Sequence, residues 1–569
     1  MESATDESSS DPSGTTGTPP IPDTPAIPDT SGTDPETDQA RPPTAVAFRL
    51  AVLTFLTAAI PRLLTAGTFV TIDEATWMRR SERFSDALFS LDFASMSASV
   101  GGERSTMPGV TTMWLGSIGR FFWGIGKSIG LIDDPYSFQH SYKALAVSEM
   151  VVAVATALLV AWLAYLVTRW AGTIAGIAIA ILCGFEPFIV GLGAILHVDE
   201  LSALFGTIAL VATCLALGLP KPVDGLSPRK AAVAAGIAMA GALLSKITAV
   251  GFMFSAAVLV IYAVVLFLKS DGDVRSTFAT FGPVLGFAAG ALVVTVLISW
   301  PALVVDPGGQ ISALRTSAKL GSGGYPEFLF GKLGYSRLFY IVNTPLRITP
   351  WGALIALVGT AAALVNRRTR TLTLVWLIGL IPMFYMLSTA SKRYPRYAIV
   401  FLIPIFASSA LGLSWRRLRL DRLPRWTAPA LVGVTLLYAT LVAPYGLAYF
   451  NPALGGSKTA LETVPVGWGE GINLAGDRIE ALAGGSCEGV TTQVGTPRLG
   501  ENPYGALNWP CLTPASSGRS TYFVYYISEL QKSTPLERQL ATRGRTYVES
   551  VSLRGIDYAE IWVIDPESE

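Results

Sequence analysis

The chain has 569 residues, of which 51% are hydrophobic and only 15% charged, and its mean hydropathy is +0.47. Soluble domains carry charge on roughly 25% of their residues, so the composition excludes a chain made only of soluble domains and predicts a multi-pass membrane protein. A formal net charge of +1 says little about partners, and nucleic acid is not expected among them.

Residues 1–44 are rich in Pro, Thr, Ser and Asp, lack Lys and Arg before Arg41, and nearly repeat themselves in IPDTPAIPDT. Such a segment buries too little apolar surface to offset its ordering entropy, which predicts a disordered cytoplasmic tail. A secretory signal would place its apolar core within the first ~15–30 residues, so the first apolar run is expected to be a retained anchor. A spanning helix needs ~20 mostly apolar residues, and eleven runs are candidates: about 46–66, 143–168, 171–192, 199–219, 230–247, 249–268, 279–300, 350–366, 371–388, 397–414 and 427–446. A further run near 109–128 is interrupted by Arg120, Lys127 and several glycines. It is expected to lie in the membrane interface; if it spanned instead, every later segment would invert.

Lys and Arg in short connections set the orientation. With the N-terminus in the cytoplasm, the basic connections around Arg169, Lys221 to Lys230, Lys269 to Arg275, Arg367 to Arg370 and Arg416 to Arg425 are all cytoplasmic. The loops 67–142 and 301–349, the His197 to Glu200 link, the turn at Lys246, the 389–396 link and the tail then lie outside. One external link, SKRYPR with Lys392, Arg393 and Arg396, breaks the rule. The expected organisation is a transmembrane domain over 45–446 and a small extracytoplasmic α/β domain over 447–569, in the plasma membrane. The latter follows from a helical pattern after GWGEG and strand-like runs at GVTTQVG, TYFVYYI and TYVESVSLRGIDYAEIWVI. Cys487 and Cys511 would share an oxidising compartment and could pair; the alternative is two unpaired buried cysteines.

Ionisable groups in or beside spans are candidates for function, because they are costly there. Under this topology they converge on the outer side. Asp73 and Glu74 follow the first span in TIDEATWMRRSER, Glu186 ends the third, and His197, Asp199 and Glu200 precede the fourth. Lys246 and the SKRYPR cations complete the set. An external cationic cluster is explained by an anion such as phosphate; the alternative is snorkelling towards headgroups. A carboxylate facing that phosphate suggests general-base transfer from an acceptor hydroxyl. The alternative for Asp73 and Glu74 is that they merely open an interfacial helix. His197, Asp199 and Glu200 lie too close together in sequence for a convincing metal set, so His197 is expected to hydrogen-bond sugar or Asp73, and His140 to be structural. Trp468 and Glu470 could touch an acceptor, but the glycines of GWGEG favour a turn. Glu186 precedes Pro187 at a break that is tolerated beside a cavity, or at a simple kink.

Several of these stretches together resemble membrane glycosyltransferases of the GT-C fold, above all glycosyltransferase family 39 with its protein O-mannosyltransferases and lipid A aminoarabinose transferases. They are the acid pair after the first span, PGVTTMWLG, HVDE, LSKIT, GYPEFLFG followed by FYIV and ITPW, SKRYPRY, and LGG followed by VGWGEG. The resemblance covers most of the chain from about 46 onward, and it rests on the order of the motifs rather than on any one of them. It implies an inverting transferase, of hexosyl or mannosyl type, that moves a sugar from a polyprenyl phosphate to an acceptor protein, lipid or envelope glycan among the membrane lipids. It implies no required cofactor beyond that donor, a divalent metal being the less expected case. Asp73 falls at the catalytic acid with Glu74 beside it, Asp199 at a second acid, and Lys246, Lys392, Arg393 and Arg396 at the lipid phosphate. Related bacterial sequences often carry His where this chain has Met107. Two other classes stay open: a binding subunit without activity, and a transporter, which would be expected to place polar sites near the midplane and show repeated halves.

Overall fold

The computed structural model describes residues 43–96, 108–270, 272–321, 326–390, 392–495, 502–515 and 520–564. Residues 1–42 of the expected tail and Met107 lie outside them. Every apolar run becomes helical: α1 (Thr44–Thr65), then α2 (Glu74–Phe89) and α3 (Val110–Ser128) in the first loop, α4 (Tyr142–Ala171), α5 (Thr173–Gly184), α6 (Pro187–Leu192), α7 (Asp199–Ala216), α8 (Pro228–Ser245), α9 (Val250–Lys269) and α10 (Val274–Ser299). After the short α11 (Ala302–Val305), α12 (Pro307–Gly321) and α13 (Phe339–Arg347) come α14 (Pro350–Val365), α15 (Arg370–Thr389), α16 (Ile399–Leu413) and α17 (Thr427–Val442).

Among the described residues seven helices are long and apolar enough to cross a membrane, or nine if two bent pairs each count as one span. The expected eleven fall short by this measure because the third run breaks into the short α5 and α6, and α8 is not among the seven. The break has a local cause. Pro187 cannot donate to the helix ladder, and the freed carbonyls of Cys183 and Gly184 accept from Arg62 at 2.9 and 3.0 Å. The 26-residue α10 is apolar yet only 11% buried in protein, whereas α7 is 89% buried, so lipid is the natural neighbour of α10. Helix α3 is not among the spans. It leaves Ile118, Phe121, Phe122 and Ile125 exposed as a stripe at helical spacing.

Beyond α17 the chain forms α18 (Gly456–Thr463) and α19 (Ile472–Leu482), then a four-stranded mixed sheet. A separate small hairpin precedes it in sequence, β1 (Glu327–Leu329) and β2 (Lys332–Gly334). The sheet strands are β3 (Thr492–Gly495), β4 (Tyr522–Tyr526), β5 (Arg545–Leu553) and β6 (Ile556–Ile564), in spatial order β3-β4-β6-β5 with only β3 and β4 parallel. Cys487 and Cys511 form a disulfide across 24 residues. This domain is sewn to the membrane part: Tyr142 N–H donates to Leu507 O at 3.0 Å, and Asn508 Nδ2 donates to His140 O at 2.8 Å. His140 is thereby part of an interdomain contact.

Candidate functional site

The site begins where α2 does. Asp73 is the N-cap of α2, but its side chain makes no capping bond. Glu74 instead ties down the chain ahead of the helix: the N–H and Oγ1 of Thr71 donate to Glu74 Oε2 at 2.7 and 3.0 Å. The other oxygen, Oε1, accepts from Leu196 N–H at 2.7 Å. Glu74 is fully buried, and these bonds fasten the segment before Asp73 to the segment before His197. The carboxyl of Asp73 is left 38% exposed.

Four other side chains gather at that carboxyl. Arg396 Nη2 donates to Asp73 Oδ2 at 3.0 Å, and its Nε lies 3.2 Å from Asp199 Oδ2. Lys246 Nζ donates to Asp199 Oδ1 at 2.5 Å. His197 stands between the acids, its Nε2 3.5 Å from Asp73 Oδ2 and its Nδ1 3.3 Å from Asp199 Oδ2. Asp199, His197, Lys246 and Arg396 are all buried, and two cations against two carboxylates keep such burial affordable. Burial alone pushes the Asp73 carboxyl up, but Arg396 and then His197 outweigh it and hold it at about 2. For His197 burial favours the neutral ring, yet Asp199 and Asp73 prevail and raise its pKa above the ordinary histidine value.

Neighbouring segments explain why these residues meet. Asp199 opens α7, so the HVDE link is half helix start rather than free loop. Lys246 caps the C-terminus of α8, and Thr111 of the PGVTT run hydrogen-bonds Ser245 beside it at 2.7 Å. Gly109 packs on Trp77 so closely that a Cβ there would come within 2.2 Å of the indole. Arg396 lies in the turn that leads into α16. Arg393 is buried, donates from Nε to Ser388 O at 3.0 Å, and has no hydrogen-bond partner for Nη1 among the described residues. Lys392 is half-buried on the same link.

Three acids expected at this site stand elsewhere. Glu74 is the clamp described above. Glu200, one residue after Asp199, turns to Arg62 at 2.8 Å. Glu186 accepts from Thr349 N–H at 2.9 Å, and so joins the α5–α6 break to the start of α14. For Glu74 and Glu200, adjacency to Asp73 and Asp199 did not translate into convergence, because consecutive positions at a helix start point to different sides. Glu470 is likewise a turn element, its Oε2 accepting from Trp468 N–H at 2.7 Å.

Trp468, expected in a turn or against an acceptor, packs instead on the cluster around Asp73. Its ring lies 4.1 Å from the Arg396 guanidinium and meets His197 edge-on with centroids 5.0 Å apart. Tyr394 and Tyr397 add rings at 4.2 and 5.4 Å from Arg396, and Lys246 sits 3.5 Å from the Tyr397 centroid. Only the aromatic residue within GWGEG hinted at this. Among the described residues no group of three or more His, Cys, Asp or Glu could hold a metal ion.

No protein-family model matches the chain, and no curated protein matches it. Solved structures do. ArnT from Cupriavidus metallidurans bound to undecaprenyl phosphate is similar over 92% of this chain and 99% of its own, at 13% identity and a TM-score of 0.48. The archaeal oligosaccharyltransferase AglB from Archaeoglobus fulgidus, in complex with an inhibitory peptide and a dolichol-phosphate, is similar over 90% of this chain and 74% of its own, at 14% identity and a TM-score of 0.42. The S. cerevisiae protein O-mannosyltransferase Pmt1-Pmt2 complex bound to the sugar donor is similar over 47% of this chain and 34% of its own, at 16% and 0.33. Likeness at this level assigns no residue role to this chain.

Proposed function

We propose that the protein is a GT-C-type membrane glycosyltransferase that moves a sugar from a polyprenyl-phosphate donor to an acceptor hydroxyl at the outer face of the plasma membrane, with inversion. The observation that carries this reading is the accessible carboxylate of Asp73, the exposed acid of this described cluster, set against buried cations that include Arg396 and Lys246. In this reading Asp73 takes the proton of the acceptor hydroxyl as its oxygen bonds to the anomeric carbon. The bond from that carbon to the phosphate oxygen breaks, and the phosphate leaves with the electron pair. Arg393, with a spare Nη1, and Lys392 meet the departing phosphate beside Arg396, where a low-dielectric setting strengthens the attraction.

A carboxyl held at about 2 is ionised at any physiological pH but is a weak base. A phosphate beside Arg396 offsets part of the guanidinium charge that depresses Asp73, so donor binding itself raises the basicity of the acid. The reading takes no resident metal: Asp199 has Lys246 on Oδ1 and Arg396 with His197 near Oδ2, and Asp73 Oδ2 faces Arg396 and His197. Both acids are therefore already neutralised by side chains. A mannosyl-type hexose is the first donor to test, with protein, lipid and envelope-glycan acceptors. The test is to incubate the full-length protein in lipid nanodiscs with a panel of polyprenyl-phosphate sugars and follow free polyprenyl phosphate. Acceptor-dependent release is expected; donor binding without release, given a competent acceptor, would instead mark a binding subunit.

A further inference from the structure

The C-terminal domain reaches into the candidate site. Its GWGEG loop is pressed onto the segment that leads into Asp73, and two buried tyrosines set it there. Tyr504 Oη accepts from Val70 N–H at 2.9 Å and donates to Gly469 O at 2.8 Å, so one hydroxyl spans the membrane part and the loop. Tyr526 Oη accepts from Gly469 N–H at 2.8 Å and donates to Glu470 O at 2.9 Å. Gly469 has φ +123°, and a Cβ there would fall 2.1 Å from Val70 O; only glycine allows the approach. With Glu470 also holding Trp468 N–H, the backbone on both sides of the indole is pinned.

The pinned indole faces Arg396 at 4.1 Å and His197 at 5.0 Å, the two groups that contact the accessible acid. Arg396 carries a long side chain that divides its nitrogens between Asp73 and Asp199. An aromatic face beside a desolvated guanidinium restricts it without consuming a donor. Resting on the reading above, we propose that Trp468 is a positioning residue for the transfer: delivered by the C-terminal domain, it holds the Arg396 guanidinium and the His197 ring in register with Asp73. The catalytic site is thus completed by the soluble domain, and the tyrosine clamp couples that domain to turnover.

The test compares Trp468→Ala with Trp468→Phe in the full-length protein in nanodiscs. A desolvated cation–π contact is worth about 2 kcal/mol, about 30-fold in rate. Trp468→Ala is expected to lower kcat by about that factor, with KM for the polyprenyl-phosphate sugar within about threefold, and Trp468→Phe to recover most of the loss. The acid limb of the rate profile is expected to move to higher pH in Trp468→Ala, since Asp73, faced by Arg396, His197, Asp199 and Lys246, loses part of the Arg396 contact that keeps it ionised. Equal activity of Trp468→Ala and wild type, or equal loss in both variants with an unmoved acid limb, overturns the proposal. Amide hydrogen exchange across 392–400 supplies a readout independent of turnover. It is expected to rise in Trp468→Ala, and unchanged exchange overturns the positioning role. A wild-type protein that transfers no sugar would overturn the transferase reading while this exchange measurement still decides the role of Trp468.

Discussion

Asp73 and Glu74 are adjacent acids with opposite fates, and the contrast extends to the two regions around them. On one side Glu74, Glu186 and Glu200 are buried carboxylates that each tie two segments of the fold together: backbone N–H groups and hydroxyls hold the first two, with Glu149 also against Glu74, and Arg62 holds the third. On the other side Asp73, His197, Asp199, Lys246 and Arg396 come from separate segments and share partners. Burial is similar in both regions, with Glu74 at 0% and Asp199 at 1% exposure. What separates them is that only the shared cluster includes an acid open to a substrate. Buried charge by itself marks architecture; convergence on an accessible atom marks chemistry.

The comparison can be broken at several points. Asp199→Ala leaves Lys246 and Arg396 buried with half their counter-charge, so it is expected to abolish transfer and to destabilise by about 3–5 kcal/mol, read as a large fall in melting temperature and in yield. Removing the disulfide with Cys487→Ser and Cys511→Ser opens a loop of 24 residues and is expected to cost about 3 kcal/mol. The loss should be confined to the C-terminal domain, detectable as faster proteolysis there with the membrane helices intact. Glu74→Gln keeps the volume but weakens the clamp on Thr71 and Leu196, and should cost about 1–3 kcal/mol while reducing turnover by no more than about tenfold. A loss as complete as that from Asp199→Ala would move Glu74 into the reacting set.

The smallest effect concerns His197. Its pKa is raised in the folded chain, so its stabilising contribution is fully present below the ordinary value near 6.5 and is lost as pH rises through the raised value. Wild type should lose melting temperature on that account as pH rises above about 6.5, relative to His197→Gln, and an identical pH dependence in the two proteins would contradict it. Asp73 runs the other way: its contribution stands above about 3.8 and fades as pH falls through about 2.

Much of this was legible in the chain. Apolar length located the helices, the alternating runs near the end located the sheet, and the basic SKRYPR link, at odds with the expected charge pattern, pointed to Arg396. The acids were harder because position along the chain does not set direction. Glu200 follows Asp199, yet α7 carries it to Arg62, a cation buried in the last turn of α1. Glu74 was drawn off by hydrogen bonds from Thr71, three residues back, and from Leu196. Trp468 read as part of a glycine turn, and its place against Arg396 depends on Tyr504 and Tyr526, residues from distant parts of the domain. Contacts of that range leave no local periodicity to read.

The most direct measurement is the initial rate of sugar transfer by Asp73→Asn beside wild type, in nanodiscs with a competent donor and acceptor. Losing a general base is expected to cost about 10²–10⁴-fold, with donor binding kept and the melting temperature within a few degrees of wild type. A variant that folds, binds donor and transfers at the wild-type rate would contradict the assignment of Asp73 as the base.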